Sequence, residues 1–253
     1  MVDVGSDKTS PEVSIVVPVN NEAENIAPLV DEIAAAMVGR FDFEVIFVND
    51  GSTDGTDTAL LQQLASRTWL RIVRHDVACG QSAALRSGTI AAWAPIIVTL
   101  DGDGQNDPSF IPAAIALLRE GGEKTGLVAS RRVGRKDTAF KRLQSRIANR
   151  VRSAILRDDT PDTGSGLKAF PRAVFLALPY FDALHRFLPA LVRRDGLEVR
   201  RLDVIDRPRL HGRTHYGMWN RLWVGILDLA GVWWLIRRRR RVPQVSEVSP
   251  NAP

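Results

Sequence analysis

Cysteine is nearly missing: the 253-residue chain has one, Cys79. A lone thiol cannot staple the fold and cannot build a Cys-based zinc site, which fits a reducing compartment. A spanning hydrophobic run is missing too. The most apolar stretch is Leu222–Ile236, interrupted by Asp228, and is shorter than the roughly 20 apolar residues a membrane-crossing helix needs. Residues 1–11 lack the basic start and apolar centre of a signal peptide, and no internal repeat is visible. Both ends, 1–11 and 243–253, read as disordered. A general excess of one charge is also lacking. The net charge of +5 comes from a run at Arg237–Arg241, without which bases and acids balance at 29 each. A local basic run of this kind suits an anionic lipid surface or nucleic acid. Nucleic acid is disfavoured because no aromatic-interleaved basic groove motif accompanies it.

What is present is alternation. Ser14–Val19, Phe43–Val48, Leu70–Arg74, Ile96–Leu100 and Gly126–Ser130 read as buried strands. Helical patterns separate them, including a face of Ile26, Leu29, Val30, Ile33, Ala34 and Met37, then Thr56–Leu64, Gln81–Trp93 and Ser109–Arg119. Asn25 is expected to cap the first helix, which would put Pro28 in its first turn. This β-α-β-α order predicts an α/β fold: a mostly parallel sheet covered by helices on both faces. Lys141–Arg157 and Tyr216–Ile236 read as two further amphipathic helices.

In open α/β sheets ligands bind beyond the carboxyl ends of the strands. Here those ends carry Asn20-Asn21-Glu22, Asn49-Asp50-Gly51-Ser52 and Asp101-Gly102-Asp103. Two carboxylates two residues apart after a buried strand can chelate a hard cation, and Gln105 can add an oxygen ligand or hold a metal-bound water. The bland alternative for each cluster is local: an acidic turn, a helix start with first-turn acids, or, for Asp54, a cap of the following helix.

In that order and spacing the segments resemble family 2 glycosyltransferases of GT-A type, which have a Rossmann-like fold. The branch of dolichol-phosphate mannose synthase and bacterial polyprenyl-phosphate glycosyltransferases is the most similar. Pro18-Val19-Asn20-Asn21-Glu22 stands for the family's Pro-x-Tyr-Asn-Glu, with Asn20 in place of Tyr. Asn49-Asp50-Gly51-Ser52 matches Asp-Asp-Gly-Ser, Cys79-Gly80-Gln81 lies at the Asn-x-Gly motif, and Asp101, Asp103 and Gln105 match Asp-x-Asp-x-Gln. Ala129-Ser130-Arg131, the segment from Asp162 to Lys168, His185-Arg186-Phe187-Leu188-Pro189 and Arg209 to Tyr216 resemble later motifs of the lipid-phosphate branch. His215 departs from the family's Lys there. The resemblance covers residues 13–220.

The resemblance implies inverting transfer of a sugar from a nucleotide-sugar, with UDP the expected nucleotide, to polyprenyl phosphate. A UDP-hexose or UDP-hexuronate such as galacturonate is the expected donor. Mg2+ or Mn2+ would be held by Asp101, Asp103 and Gln105. Pro18, Asn20, Glu22, Asp50, Gly80, Gln81, Asp101 and Gly102 would bind the donor. Arg131, Ser165, Lys168 and Arg209 would meet the acceptor phosphate, with Arg131 counted beside Asp101 and Asp103 as catalytic. Residues 12–215 form the expected catalytic domain and 216–242 an interfacial helix with the arginine run. A tryptophan-rich helix beside arginines suits a membrane surface, here the cytoplasmic face of the inner membrane, or a transmembrane partner. Alternatives are transfer to a sugar hydroxyl and a non-catalytic nucleotide-binding module. The Gln-x-x-Arg-Trp of processive relatives has no match. Cys79 reads as a small packed side chain.

Overall fold

The structure, a computed structural model, describes residues 10–133, 152, 155, 156, 164–205, 207 and 218–238. The chain runs β1 (Val13–Val19), α1 (Ala23–Met37), β2 (Phe43–Asp50), α2 (Thr56–Leu64), β3 (Leu70–His75), α3 (Gln81–Ala91) and β4 (Ile96–Thr99). It continues with α4 (Ile111–Glu120), β5 (Thr125–Val133), β6 (Lys168–Pro171), α5 (Arg172–Ala177), α6 (Leu184–Arg194), β7 (Glu198–Ile205) and α7 (Met218–Arg237).

Seven strands form one sheet in the order β3-β2-β1-β4-β6-β5-β7. The inner strands are apolar on both faces because both faces are covered. Val13, Ile15, Val17 and Val19 of β1 pack with α1 and α4, and Val16 packs with α3 on the other side. In β2 the same alternation sends Val45 and Phe47 one way and Ile46 and Val48 the other.

β1 to β4 are mutually parallel, so their carboxyl ends share one rim. β6 is reversed and pairs antiparallel with both β4 and β5. Its first residue, Lys168, stands opposite Thr99, the last residue of β4. Reversal therefore carries the start of β6, and the loop before it, to the rim where the parallel strands end. The sequence pattern of the first half predicts parallel strands and gives no sign of this reversal.

Two local expectations are corrected. Helix α1 starts at Ala23 after Glu22, and Asn25 is buried inside it, donating from Nδ2 to Glu22 Oε2 at 2.6 Å. Pro28 consequently sits within the helix, on its exposed side, where the carbonyl it leaves unpaired can turn to water. Cys79 is exposed, not packed. Of the expected helix at 141–157, only residues 152, 155 and 156 are described, and they are helical. Residues 1–9 and 243–253, Arg209 with its motif and Arg239–Arg241 lie outside the described residues.

Candidate active site

The rim is built from the three loops after β1, β2 and β4, and hydrogen bonds lock them together. Asn20 donates from Nδ2 to the Asp50 carbonyl at 2.6 Å, and the Asn21 Oδ1 accepts from Thr53 N–H at 2.8 Å. Asp54 Oδ1 accepts from the N–H and hydroxyl of Thr56, and its Oδ2 accepts from Ala23 N–H at 3.3 Å. Asp54 thus ties the starts of α1 and α2 together, while Gly55, not Asp54, is the N-cap of α2. Gly51 has φ +62°, and a Cβ there would lie 2.4 Å from the Ala78 nitrogen, so the β2 loop needs glycine to pass beneath the 77–80 loop.

Asp50 is buried and holds that neighbouring loop. Its Oδ1 accepts from Cys79 N–H at 2.8 Å and its Oδ2 from Gly80 N–H at 2.7 Å. His75 Nδ1 lies 2.6 Å from Asp50 Oδ1, and its Nε2 lies 2.9 Å from Ser87 Oγ.

The acids after β4 occupy the centre. A Cβ at Gly102 would meet Val19 Cγ1 at 2.5 Å and the Pro18 carbonyl at 2.8 Å, so this turn lies directly on the end of β1. Asp101 N–H donates to Asn106 Oδ1 at 3.0 Å, and Gln105 N–H donates to Asp103 Oδ1 at 3.2 Å. Gln81 donates from Nε2 to Asp101 Oδ1 at 2.7 Å. Burial, with the neighbouring Asp103 charge, pushes the Asp101 carboxyl up to about 6, while Lys168, the Gln81 bond and Arg132 oppose the rise. An acid strained in this way suits a divalent cation, which would offset both the burial and the repulsion. Asp101 and Asp103, with Gln105 beside them, are an oxygen-donor set of the kind Mg2+ or Mn2+ takes.

Facing the acids is a cavity of about 130 Å³, lined among others by Gln81, Asp101, Ser165, Lys168, His185 and Arg186. The reversed β6 brings Ser165 and Lys168 here. Lys168 is buried and its ammonium donates to the Ser165 carbonyl, while the Ser165 and Ser130 hydroxyls bond each other. A Cβ at Gly166 would stand 2.3 Å from the Asp101 carboxyl, so only glycine lets this loop close on the acid.

Arg131 is not brought to this group. Its guanidinium closes on Asp203 with two bonds, at 2.7 and 2.6 Å, and both side chains are largely exposed. The reason is strand alternation: Ser130 points to Ser165, so Arg131 lies on the opposite face of β5 and Arg132 on the same face as Ser130. The charge of Arg132 reaches Asp101.

His185 is a second residue whose part was not legible. Its Nδ1 lies 2.8 Å from Ser82 Oγ, and that same Oγ accepts the His185 backbone N–H at 3.3 Å. With the Ser82 hydroxyl donating to Nδ1, the ring proton sits on Nε2. Burial, then Lys168 and Arg186, pushes the imidazole down to about 3, so it stays neutral at working pH. The only sequence signal was the His185-Arg186-Phe187 string. Its partner Ser82 is too distant in the chain to be read from spacing.

Taken together, a doubly covered sheet with paired acids beyond its parallel strand ends and cationic groups facing them defines a GT-A-type enzyme fold. Solved structures of the same shape include glucosyl-3-phosphoglycerate synthase from Mycobacterium tuberculosis in complex with Mn2+, UDP-glucose and glycerol 3-phosphate. It has a TM-score of 0.68 and 21% identity, over 92% of this chain and 81% of that one. Residues 14–178 match Glycosyl transferase family 2, and the chain belongs to that family. Among curated proteins it is 34% identical to dodecaprenyl-phosphate galacturonate synthase of Rhizobium johnstonii, over 91% of this chain and 69% of that protein. It is 31% identical to undecaprenyl-phosphate 4-deoxy-4-formamido-L-arabinose transferase of an Enterobacter strain, over 81% of this chain and 62% of that protein. The chain thus spans a little under two thirds of the second relative.

Proposed function

We propose that the chain transfers a sugar from a nucleotide-sugar to polyprenyl phosphate, with inversion at the anomeric carbon. The observation that carries this is the pairing, across one small cavity, of the Asp101 acid with Lys168, Arg186 and the neutral donor His185. Asp50, Asn20, Glu22 and the backbone at Pro18 and Gly80 would line the nucleoside side. Asp101 and Asp103, with Gln105, would hold Mg2+ or Mn2+. That ion supplies charge neutralisation on the departing diphosphate.

An acceptor phosphate is already anionic near neutral pH, so it needs no base to remove a proton. The protein must instead hold two anionic groups close without letting them repel apart. Lys168 and Arg186 supply positive charge, and the Nε2–H of His185 supplies a neutral hydrogen bond. Arg132, whose charge reaches Asp101, would take the part assigned to Arg131. A sugar hydroxyl acceptor would need a general base, and His185 is a poor one because its Nδ1 is engaged by Ser82. A hexuronate donor, galacturonate in the Rhizobium relative's name, fits a cation-rich cavity.

The acceptor lives in a bilayer, and α7 supplies a surface for it. Val232 is buried against the domain, with Leu229, Leu235 and Ile236 packed partly beside it. Leu227, Trp233 and Trp234 project outward, and the guanidinium groups of Arg237 and Arg238 lie 4.4 and 5.3 Å from the Trp233 and Trp234 ring centres. Among the described residues no helix is long and apolar enough to cross a membrane. Tryptophans with neighbouring arginines suit headgroup depth, so we place the enzyme peripherally on the cytoplasmic face of the inner membrane. Contact with a transmembrane partner through the same face is the second reading.

The test is incubation of the protein with a panel of nucleotide-sugars, Mg2+ or Mn2+, and a short polyprenyl phosphate. Mass spectrometry of the lipid fraction should show one sugar gained per phosphate. Transfer to a sugar hydroxyl with none to the lipid phosphate would overturn the reading, as would full-speed lipid glycosylation by an Asp101→Asn, Asp103→Asn variant.

A further inference from the structure

The nucleoside side of the rim holds a second ligand cluster, separate from the paired acids. Asp50, His75 and Cys79 each offer one ligand atom, and these atoms lie within 4.8 Å of one another. The fold builds the cluster. Asp50 and His75 are register partners at the ends of β2 and β3, and the loop carrying Cys79 is hung from Asp50 by two backbone N–H bonds. His75 is oriented from behind, its Nε2 lying 2.9 Å from Ser87 Oγ, the kind of outer contact that fixes a metal-binding imidazole. Asp50 is buried whereas Cys79 is exposed, so an ion can reach the cluster from solvent.

The ligand chemistry selects the ion. One sulfur, one imidazole nitrogen and one carboxylate oxygen suit Zn2+, with a fourth position left for water. Mg2+ and Mn2+ prefer all-oxygen sets such as the acids at 101 and 103. Zinc bonds of about 2.0–2.3 Å place ligand atoms roughly 3.3–3.7 Å apart, so Cys79 must rotate inward while the 2.6 Å contact of His75 Nδ1 with Asp50 Oδ1 opens and the ion takes the place of the proton shared there. The thiol would lose its proton to solvent. His75 would carry its proton on Nε2, donating to Ser87 Oγ, and bind through Nδ1.

We infer that Asp50, His75 and Cys79 form a zinc site, and that Zn2+ held there keeps the donor nucleotide out. The blocking half rests on Asp50 lining the nucleoside pocket, as proposed above. One divalent ion then supports transfer while another, bound about the same rim, opposes it. A single cysteine suffices because the other ligands are His and Asp, unlike a zinc site made of cysteines alone.

The site is tested without turnover. Co2+ is titrated into the full chain carrying Asp101→Asn and Asp103→Asn, which removes the paired acids. A thiolate-to-cobalt charge-transfer band in the near ultraviolet is expected, bleached by Zn2+ and lost when Cys79→Ser is added. Circular dichroism of the Cys79→Ser protein checks that it is folded, and Cys79→Ala serves as a second variant. No such band in the Cys79 protein, or a band that survives both cysteine substitutions, overturns the site. The blocking half is read in the otherwise unaltered enzyme at saturating Mg2+. There Zn2+ should raise KM for the nucleotide-sugar and leave kcat unchanged, and Cys79→Ser should need at least about tenfold more Zn2+, the lower end of the loss for disturbing metal-site residues. Inhibition that lowers kcat alone overturns the blocking half. Because the cobalt band needs no substrate, its absence cannot be mistaken for failure of the transferase assignment.

Discussion

Replacing Asp101 by Asn should stabilise the metal-free protein while disabling it. The Asp101 carboxyl is pushed from an ordinary 3.8 to about 6 by burial and by Asp103. Keeping it charged at neutral pH therefore costs about 3 kcal/mol, since each pH unit corresponds to about 1.4 kcal/mol. Because the folded chain holds this proton more tightly than the unfolded chain, the associated stability is full below about 3.8 and is lost as pH rises through about 6. Asn is nearly isosteric, keeps an oxygen for Gln81, and fits the space against Gly166. The variant should gain about 2–3 kcal/mol above pH 7, or about 5–10 °C in Tm for a chain of this size. The gain should shrink toward zero at pH 4. Mn2+ should raise the Tm of the unaltered protein and leave the variant unmoved. Thermal melts from pH 4 to 8, with and without Mn2+, measure all of this. A variant that melts at or below the parent at pH 7.5 without metal refutes the burial argument. A variant still stabilised by Mn2+ refutes the assignment of Asp101 as a ligand.

Lys168→Met keeps the buried volume but removes the charge, and should lower kcat about 10- to 100-fold, the worth of a charge-assisted hydrogen bond of about 1.5–3 kcal/mol, as measured by single-turnover lipid glycosylation. It should also push the Asp101 carboxyl higher still, because Lys168 is among the groups that hold it down. His185→Gln should retain more activity than His185→Ala, since an amide N–H can replace Nε2–H. The parent's pH–rate profile should carry no limb from His185 above about 4, given its fall to about 3. Trp233→Ala with Trp234→Ala should reduce flotation with anionic liposomes and leave transfer to a detergent-dispersed short-chain acceptor near normal; undiminished flotation would remove α7 as the docking face.

The acidic half of the site was legible because it is local. Asp50 and Asp101 each follow a buried apolar strand, and parallel packing dictates that strand ends meet. The cationic half was only partly legible, for three separate reasons. Lys168 reaches Asp101 through the reversed strand β6, which pairing across the sheet determines and local periodicity does not. Arg131 and Arg132 differ by one position, and which one shares the face of Ser130 depends on the phase of β5, set by Ser130 meeting Ser165. His185 owes its neutral state to burial and to the charges of Lys168 and Arg186, and its orientation to Ser82, a contact that spans 103 positions of chain. The Asn25 cap was misread because its amide competes for Glu22 inside the first turn.

The antiparallel placement of β6 separates the chemistry along the gene as well as in space. The acids assigned to donor and metal, Glu22, Asp50, Asp101 and Asp103, precede residue 104, and the basic wall opposite is encoded after residue 163, save Arg132. The two meet along the β4–β6 ladder, whose backbone bonds are indifferent to side-chain identity, and at the Ser82–His185 contact. Exchange of the downstream coding block between relatives could therefore retarget the enzyme to another anionic acceptor while its grip on the donor passes through unaltered.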